Sequence, residues 1–373
     1  MNNLEIAIEQ VIEENNISHQ WSDAVTNELK DIRLDFFDKR KDLTKVPLVT
    51  IDGADAKDFD DAIHCTETNS SYILSVAIAD VAALVCPGTA LDEEAIKRGT
   101  SIYFPSKVIP MLPEKISNDL CSLVPFKDRN AVVCEMVFSF EGNLNSYNFF
   151  EAKIKSHKRM TYKEVDGVLK NNSGLEKNIN FSLVALSKLT RILLNKRQER
   201  QALEIEAQEP FLKTNEFGDV EEIVLPKRMF SHQMVEESML AANVCAANFM
   251  HKHYESGIYR IHEEPDETKL DALKNFFSLK GFKGSFKKDA LGLLSQCLEY
   301  TKVQNINKSL QTVVLQSLKR AEYSTKEKGH FGLQIDRYSH FTSPIRRYPD
   351  LITHRLIKNA LNKNKVSFDK EYM

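Results

Sequence analysis

The stretch Val49-Thr-Ile-Asp-Gly-Ala-Asp-Ala-Lys-Asp-Phe-Asp-Asp-Ala-Ile63 places five aspartates within ten residues, at positions 52, 55, 58, 60 and 61. It lies between residues 46–51 and 71–80, two runs whose β-branched and aromatic side chains are typical of strands. Because Asp and Gly favour turns, we expect the acidic segment to be a loop at a sheet edge.

Carboxylates this close together cannot all stay ionised without a counter-ion. Some of them protonate, or solvent separates them, or bound cations neutralise them. Hard oxygen ligands suit Mg²⁺, and two such ions about 4 Å apart can clamp a phosphodiester. The alternative is a solvated acidic turn. A calcium EF-hand is disfavoured, because counting from Asp58 its required Gly and Glu positions hold Ile63 and Asn69.

The order of elements along the chain predicts an α+β fold. Residues 1–45 contain two short helical patterns, which we interpret as a connector, and residues 46–155 are rich in strand-forming residues. The segment Tyr72–Ala79 alternates large side chains with mostly small ones, so we expect something to pack closely against its small face. After residue 180 the pattern becomes helical. Helices are predicted near 183–203, 232–255, 266–278, 288–302, 306–321 and 349–362.

The composition is that of a soluble globular protein. The chain has 373 residues, of which 42% are hydrophobic and 28% charged. It has no apolar run near the ~20 residues that span a bilayer, and its acidic N-terminus lacks the features of a secretion signal. We therefore expect a cytoplasmic protein with no membrane partner. The six cysteines form no CxxC pair, which favours buried, reduced thiols.

The net charge of −3 counts mildly against nucleic-acid binding, which needs clustered Lys and Arg. A channel enzyme can nevertheless be neutral overall and basic locally. The basic runs Lys153–Arg159 and Lys319–Lys328 are candidates, although such runs are usually solvated surface.

A second unusual constellation, Gly329-His-Phe-Gly-Leu333 followed by Tyr338–Asp350, lies almost 300 residues after the first. Pro349 suits the first position of a helix, so Arg346 and Arg347 precede a helix N-terminus. Guanidinium groups at such a position form a good phosphate site. The two arginines could equally be surface ion-pair partners.

Taken together, the motifs resemble the RNB catalytic domain shared by ribonuclease II, ribonuclease R and a related exosome subunit, most closely the bacterial ribonuclease R type. The resemblance runs from about residue 46 to 362. Its motifs are residues 49–62, 77–123, 234–250, 259–265 and 329–356. It implies a mixed or antiparallel sheet surrounded by helices, with a central RNA channel.

The resemblance also implies roles for individual residues. The family's metal-binding and catalytic aspartates fall on Asp52, Asp58, Asp60 and Asp61, with the family's spacing of six, eight and nine residues. Asp55 does not match this set. The arginine beside the scissile phosphate falls on Arg346, and we expect Arg347 to contact RNA next to it.

Two further RNA contacts are implied. The base-stacking tyrosine falls on Tyr103, which would otherwise be a half-buried strand residue. A glutamate that contacts the terminal nucleotide falls on Glu237, which would otherwise lie on a helix surface. The second aromatic residue of the family's base clamp falls on Ile205, which offers no π face.

The implied activity is processive 3′→5′ hydrolysis of single-stranded RNA by two Mg²⁺ ions, with Mn²⁺ as a substitute, releasing 5′-nucleoside monophosphates. We expect a monomer in which residues 46–373 form an RNB domain truncated at its C-terminus, without the family's flanking OB-fold domains. The alternatives are an inactive RNA-binding remnant, a different metal-dependent phosphatase and a calcium-binding structural protein.

Overall fold

A five-stranded barrel covered by helices forms the main body of the structure, a computed structural model. It describes residues 3–36, 39–171, 174–204, 211–215, 220–225, 228–303 and 309–362. The strands are β1 (Lys41–Asp52), β2 (Asp61–Glu67), β3 (Tyr72–Ala79), β4 (Ile102–Tyr103), β5 (Val108–Ile109), β6 (Asp128–Phe138), β7 (Leu144–Thr161), β8 (Phe211–Thr214), β9 (Val220–Val224), β10 (Tyr259–Ile261) and β11 (Glu322–Ser324).

The helices flank and follow these strands. The α-helices are α1 (Asn3–Glu14), α2 (Asp23–Asp31), α3 (Ala90–Arg98), α4 (Tyr162–Asn171), α5 (Lys177–Glu199), α6 (Phe230–His253), α7 (Glu267–Leu279), α8 (Ala290–Val303), α9 (Ser309–Ser317) and α10 (Tyr348–Leu361). Short 3₁₀ turns occupy Val81–Ala83 and Phe331–Leu333, and a π-helical turn occupies Lys115–Leu120. The α+β class is confirmed, and so are the helices predicted after residue 180 over the described residues; the first residues of the helix predicted near 306–321 lie outside them.

The barrel has the strand order β1-β2-β3-β6-β7, with antiparallel pairing throughout except where β7 pairs in parallel with β1 to close it. A closed barrel has no edge strands. The acidic segment is the loop that joins β1 to β2 at one end of this barrel, which confirms its predicted loop conformation and its predicted position between two strands.

Strand β3 shows how the sequence alternation builds the core. Leu74, Val76 and Ile78 pack in one cluster with residues of α5 and α6. Ala77 and Ala79, on the opposite face, lie in a second cluster with residues of α10. Both alanines are fully buried, so the small face of β3 is covered, as the pattern predicts. The position of α10 matters for function because its N-terminus follows the arginine pair.

The N-terminal segment forms the two predicted helices, and the Ser22 hydroxyl caps α2 by accepting from the Val25 amide at 3.3 Å. Val25 is buried in the same cluster as the barrel's alanine face. Five of the six free cysteines are buried, and Cys86 is exposed. Among the described residues, no helix combines the length and apolar character that a bilayer crossing requires.

Candidate active site

The backbone of the acidic loop between Asp52 and Asp61 is held in place by contacts with two neighbouring segments. The Ser122 hydroxyl accepts a hydrogen bond from the Phe59 amide at 3.0 Å and donates one to the Lys57 carbonyl at 2.8 Å. The Leu123 amide donates to the Phe59 carbonyl at 3.0 Å. One half of the loop is thereby tied to the segment that precedes β6.

Arg159 on β7 holds the other half. Its Nη2 donates to the carbonyls of Gly53 at 3.1 Å, Ala54, and Ala56 at 3.4 Å, and its guanidinium lies 5.2 Å from the centre of the Phe59 ring. Analysis of the sequence left Arg159 in a basic run that is usually solvated surface. Its role follows from the register of β7, which pairs Arg159 with Thr50.

Asp60 joins the acidic loop to the arginine pair. Its Oδ1 accepts from the Ile345 amide at 3.0 Å, and its Oδ2 accepts from Nε of Arg346 at 3.3 Å. Nη2 of Arg346 also donates to the Ser343 hydroxyl at 3.1 Å. The Asp60 side chain is buried, whereas 48% of the Arg346 side chain remains exposed. Arg346 is therefore oriented by a buried carboxylate and still accessible to a ligand.

Burial disfavours the ionised form of three carboxyl groups in the acidic loop, those of Asp52, Asp60 and Asp61. Burial raises the pKa of Asp60 to about 7, against the opposing effect of Arg346. Burial, with repulsion from Asp52 and Asp60, raises the pKa of Asp61 to about 8. Burial also raises the pKa of Asp52. Oδ2 of Asp61 is buried and has no hydrogen-bond partner within the part of the chain that the structure describes.

These features bear on whether the cluster suits a metal ion. A buried carboxylate oxygen without a donor, beside a second carboxylate that repels it, is the environment that a divalent cation relieves. Asp52, Asp58 and Asp61 are the side chains that fit this purpose best, since protein donors engage both oxygens of Asp60. Over the described parts of the chain, however, no three His, Cys, Asp or Glu side chains are grouped so as to hold an ion. The metal role of the four aspartates stays a prediction.

Tyr103 extends from β4 towards the same cluster. Its hydroxyl donates to Oδ2 of Asp58 at 3.2 Å, and 52% of the residue is exposed. The strand is linked to the arginine pair, because the Ser101 amide donates to the Arg346 carbonyl at 3.0 Å. An accessible aromatic face therefore lies beside the acidic loop, which suits the predicted stacking role without testing it.

Arg347 and Glu237 are both engaged by protein partners. Arg347 donates twice to Asp350, from Nε to Oδ2 at 2.9 Å and from Nη2 to Oδ1 at 2.7 Å. Glu237 is buried and accepts from Nη1 of Arg197 at 2.9 Å, and burial raises the pKa of its carboxyl. A position on the helix surface is therefore wrong for Glu237. The RNA contacts of both residues stay predictions.

A cavity of about 340 Å³ connects these regions. Its lining includes Asp52 and Asp61 from the acidic loop, Arg346 and Arg347 from the turn before α10, and Tyr162. Glu236, the neighbour of Glu237, also lines it, which the sequence did not single out. Ile205 lies outside the described residues. The two constellations singled out in the sequence thus share one cavity.

Comparisons with known proteins identify the family of this chain. The family model described as RNB domain matches residues 40–363. The chain belongs to the RNB-domain family. It is 41% identical over 362 residues to ribonuclease R of Vibrio cholerae, an alignment that covers 94% of this chain and 44% of that protein. The chain thus spans about half the length of the curated relatives it matches.

Solved structures support the RNB fold. Mycoplasma genitalium RNase R in complex with ribose-methylated single-stranded RNA matches with a TM-score of 0.92 and 31% identity, covering 100% of this chain and 59% of that one. Yeast Ssd1, described as a pseudonuclease, matches with a TM-score of 0.74 and 19% identity over 91% of this chain and 43% of that one. The second likeness concerns the fold alone.

Proposed function

We propose that this RNB domain is a Mg²⁺-dependent exoribonuclease that hydrolyses single-stranded RNA processively from its 3′ end and releases 5′-nucleoside monophosphates. The observation that carries the proposal is the 3.3 Å contact between Arg346 and Asp60 at a cavity that Asp61 also lines, with an Oδ2 that has no hydrogen-bond partner among the described residues. It combines, in one cavity, a cationic group for a phosphate and an anionic group for a metal.

Arg346 supplies the phosphate contact. Its side chain is oriented by Asp60 and Ser343 but is about half exposed, so a phosphoryl oxygen can reach the guanidinium. A fixed cation placed where negative charge develops stabilises a transition state without reorganising. Arg347 lines the same cavity, and its two bonds to Asp350 fix its guanidinium next to Arg346.

The aspartates supply the metal site. Asp52, Asp58 and Asp61 would hold Mg²⁺, or Mn²⁺ in its place, while Asp60 would complete the site from its position beside Arg346. When bound, such ions would supply an activated water and stabilisation of the leaving oxygen. Ser122 and Arg159 anchor the backbone of the loop that carries these carboxylates.

Tyr103 and Glu237 would serve the substrate's bases and terminal nucleotide. The exposed face of Tyr103 offers a stacking surface that accepts any base, which suits degradation without sequence preference. Glu237 would contribute through its neighbour Glu236, which lines the cavity. Arg197 links the two, because it donates to Glu236 at 2.7 Å and to Glu237 at 2.9 Å. We propose that the domain acts as a monomer.

An inactive RNA-binding remnant of the same fold is the second candidate. It is favoured by the engagement of both Asp60 oxygens with protein donors and by the absence, over the described residues, of a ready group of three metal ligands. It would bind RNA through Arg346 and Tyr103 without cleaving it.

A directional degradation assay separates the candidates. Single-stranded RNA labelled at its 5′ end is incubated with the chain in Mg²⁺, with and without chelator, and the products are resolved by electrophoresis and chromatography. If the chain is an exoribonuclease, the RNA should shorten from its 3′ end and 5′-nucleoside monophosphates should be released, and the chelator should abolish both. Bound but intact RNA would identify the remnant. Hydrolysis of a small phosphate ester that RNA does not inhibit would identify a phosphatase.

A further inference from the structure

Helix α1 lies outside residues 40–363, which match the RNB domain, yet it packs on the hairpin that carries Tyr103. We propose that α1 is a brace that positions Tyr103 for base stacking, so that the N-terminal segment contributes to the affinity for RNA. The inference rests on the proposed function, because it assumes that the ring of Tyr103 stacks on a base of the RNA. Three observations support the inference. Helix α1 makes an apolar contact with the β4–β5 hairpin, this hairpin is too short to be stable alone, and Tyr103 extends from it to the acidic loop.

The apolar contact follows from helical spacing. Ile8 and Ile12 are four residues apart and so lie on one face of α1. They are 5% and 2% exposed and form a cluster with Ile109 of β5, against which Ile102 and Phe104 also pack. Both strands of the β4–β5 hairpin therefore contact the helix. In contrast, Ile6 on the same helix is 52% exposed.

Polar contacts hold the same hairpin and the segment after α1. Nζ of Lys107, in the hairpin loop, lies 2.7 Å from Oε1 of Glu9. Arg98 donates to the carbonyls of Gln20 at 2.9 Å and Pro110 at 3.0 Å, and its guanidinium lies 3.8 Å from the centre of the Trp21 ring. Because the Lys107–Glu9 pair is solvated, the apolar cluster provides most of the attachment.

The hairpin needs such support. Its strands contain only two residues each, and a two-stranded hairpin of this size is not stable alone in water. Tyr103 extends from it to donate to Asp58 at 3.2 Å. The acidic loop has separate anchors in Ser122 and Arg159, so loss of the brace would displace the Tyr103 ring and leave the carboxylates in place.

A comparison of two substitutions on one helix tests the brace. Ile12→Asp disrupts the buried face of the full chain, and Ile6→Asp introduces the same charge on the exposed face. The affinity for single-stranded RNA is measured in chelator, and stacking is followed by the fluorescence of a 2-aminopurine at the 3′ end. We expect Ile12→Asp to weaken binding about tenfold, within the range for loss of one base–aromatic stack, and to reduce quenching. Ile6→Asp and Ile12→Leu should resemble the wild type.

A double-substitution cycle shows whether the effect passes through Tyr103. If α1 acts by positioning that ring, Ile12→Asp should weaken binding in the wild-type background and cause no further loss in a Tyr103→Ala background. Equal losses in both backgrounds would indicate general destabilisation and overturn the brace. Wild-type affinity and quenching in Ile12→Asp, or a wild-type chain that does not bind RNA, would also overturn it. Because these measurements need no cleavage, a chain that binds but does not degrade RNA contradicts only the proposed activity.

Discussion

Nε of Arg346 lies 3.3 Å from Oδ2 of Asp60, although 286 positions separate the two residues along the chain. The backbone amide of Ile345 holds the other oxygen of the same carboxylate. This pair connects the turn before α10 to the loop between β1 and β2. Because Asp60 is buried and Arg346 is half exposed, the carboxylate orients a guanidinium that remains accessible to a ligand.

The first prediction concerns the shape of that guanidinium. Arg346→Lys keeps the positive charge but removes the fork that contacts both Asp60 and Ser343, so turnover of RNA should fall by roughly a hundredfold. Arg337→Lys is the matched control, because Arg337 pairs with Glu327 on the exposed surface. Single-turnover rates at saturating RNA measure the effect. Equal rates for the two variants would exclude Arg346 from the chemistry.

The second prediction concerns the clamp formed by Arg159. Arg159→Met removes the donor shared by the carbonyls of Gly53, Ala54 and Ala56, so the acidic loop should become mobile and bind Mg²⁺ about tenfold more weakly. Amide hydrogen exchange of residues 53–58 and calorimetric titration with Mg²⁺ measure this. Lys158→Met, one residue earlier on β7, removes the same charge without the clamp. If both variants exchange and bind metal alike, Arg159 does not hold the loop.

Analysis of the sequence predicted the acidic loop and the arginine turn because each carries local signals. Five aspartates between two strand patterns predict a loop, and Pro349 marks the start of α10. Their convergence was implied by a family resemblance rather than by spacing. The structure brings Asp60 to Arg346 through the packing of α10 on the alanine face of the barrel.

Local sequence patterns could not predict that the barrel closes, nor which partners surround individual side chains. The parallel pairing of β1 with β7 joins distant segments, and it places Arg159 beside Thr50 and the loop. Glu237 shows the same limit, because a glutamate on a helix is normally exposed, whereas here Arg197 on α5 binds it in the interior. Such partners depend on tertiary structure, which a residue's neighbours in the sequence do not determine.

The third prediction tests the small face of β3. Ala77 is 0% exposed and packs in the cluster that includes residues of α10, so Ala77→Leu should lower the free energy of unfolding by ~1–3 kcal/mol through overpacking. Ile73→Leu is the control, because Ile73 lies on the same face where it is only partly buried. Urea denaturation measures both. A neutral Ala77→Leu would mean that α10 packs more loosely than the structure shows.

The fourth prediction concerns pH and His354. This residue is buried, lies within 2.8 Å of the Phe341 carbonyl through Nε2 and stacks on the Phe341 ring, and burial lowers its pKa to about 4. Asp80 and Asp350 act in the opposite direction, and Lys358 acts in the same direction. The folded state thus binds fewer protons than the unfolded state between the unfolded pKa, about 6.5, and about pH 4.

His354 therefore contributes stability that is fully present above that window and is lost as the pH falls through it, whereas Asp60 and Asp61, whose pKa values are raised, contribute in the opposite direction. Urea denaturation across the window should show the wild type losing free energy of unfolding relative to His354→Gln as the pH falls, because the amide of the variant can still donate to Phe341 but does not titrate. His330 and His340, whose pKa values burial also lowers, would sustain part of the dependence in both proteins. An identical slope in the variant would show that His354 does not titrate on unfolding.

Asp61→Asn provides the most direct test of the proposed centre, because it removes the carboxylate whose buried Oδ2 has no partner among the described residues while preserving its shape. Release of 5′-nucleoside monophosphates from single-stranded RNA in Mg²⁺ is compared for the wild type, Asp61→Asn and Asp55→Asn, the last altering an exposed aspartate of the same loop. We predict that Asp61→Asn binds RNA normally but releases nucleotides at least about a hundredfold more slowly, whereas Asp55→Asn is unchanged. Release by Asp61→Asn at the wild-type rate would contradict a metal-dependent centre built on the acidic loop.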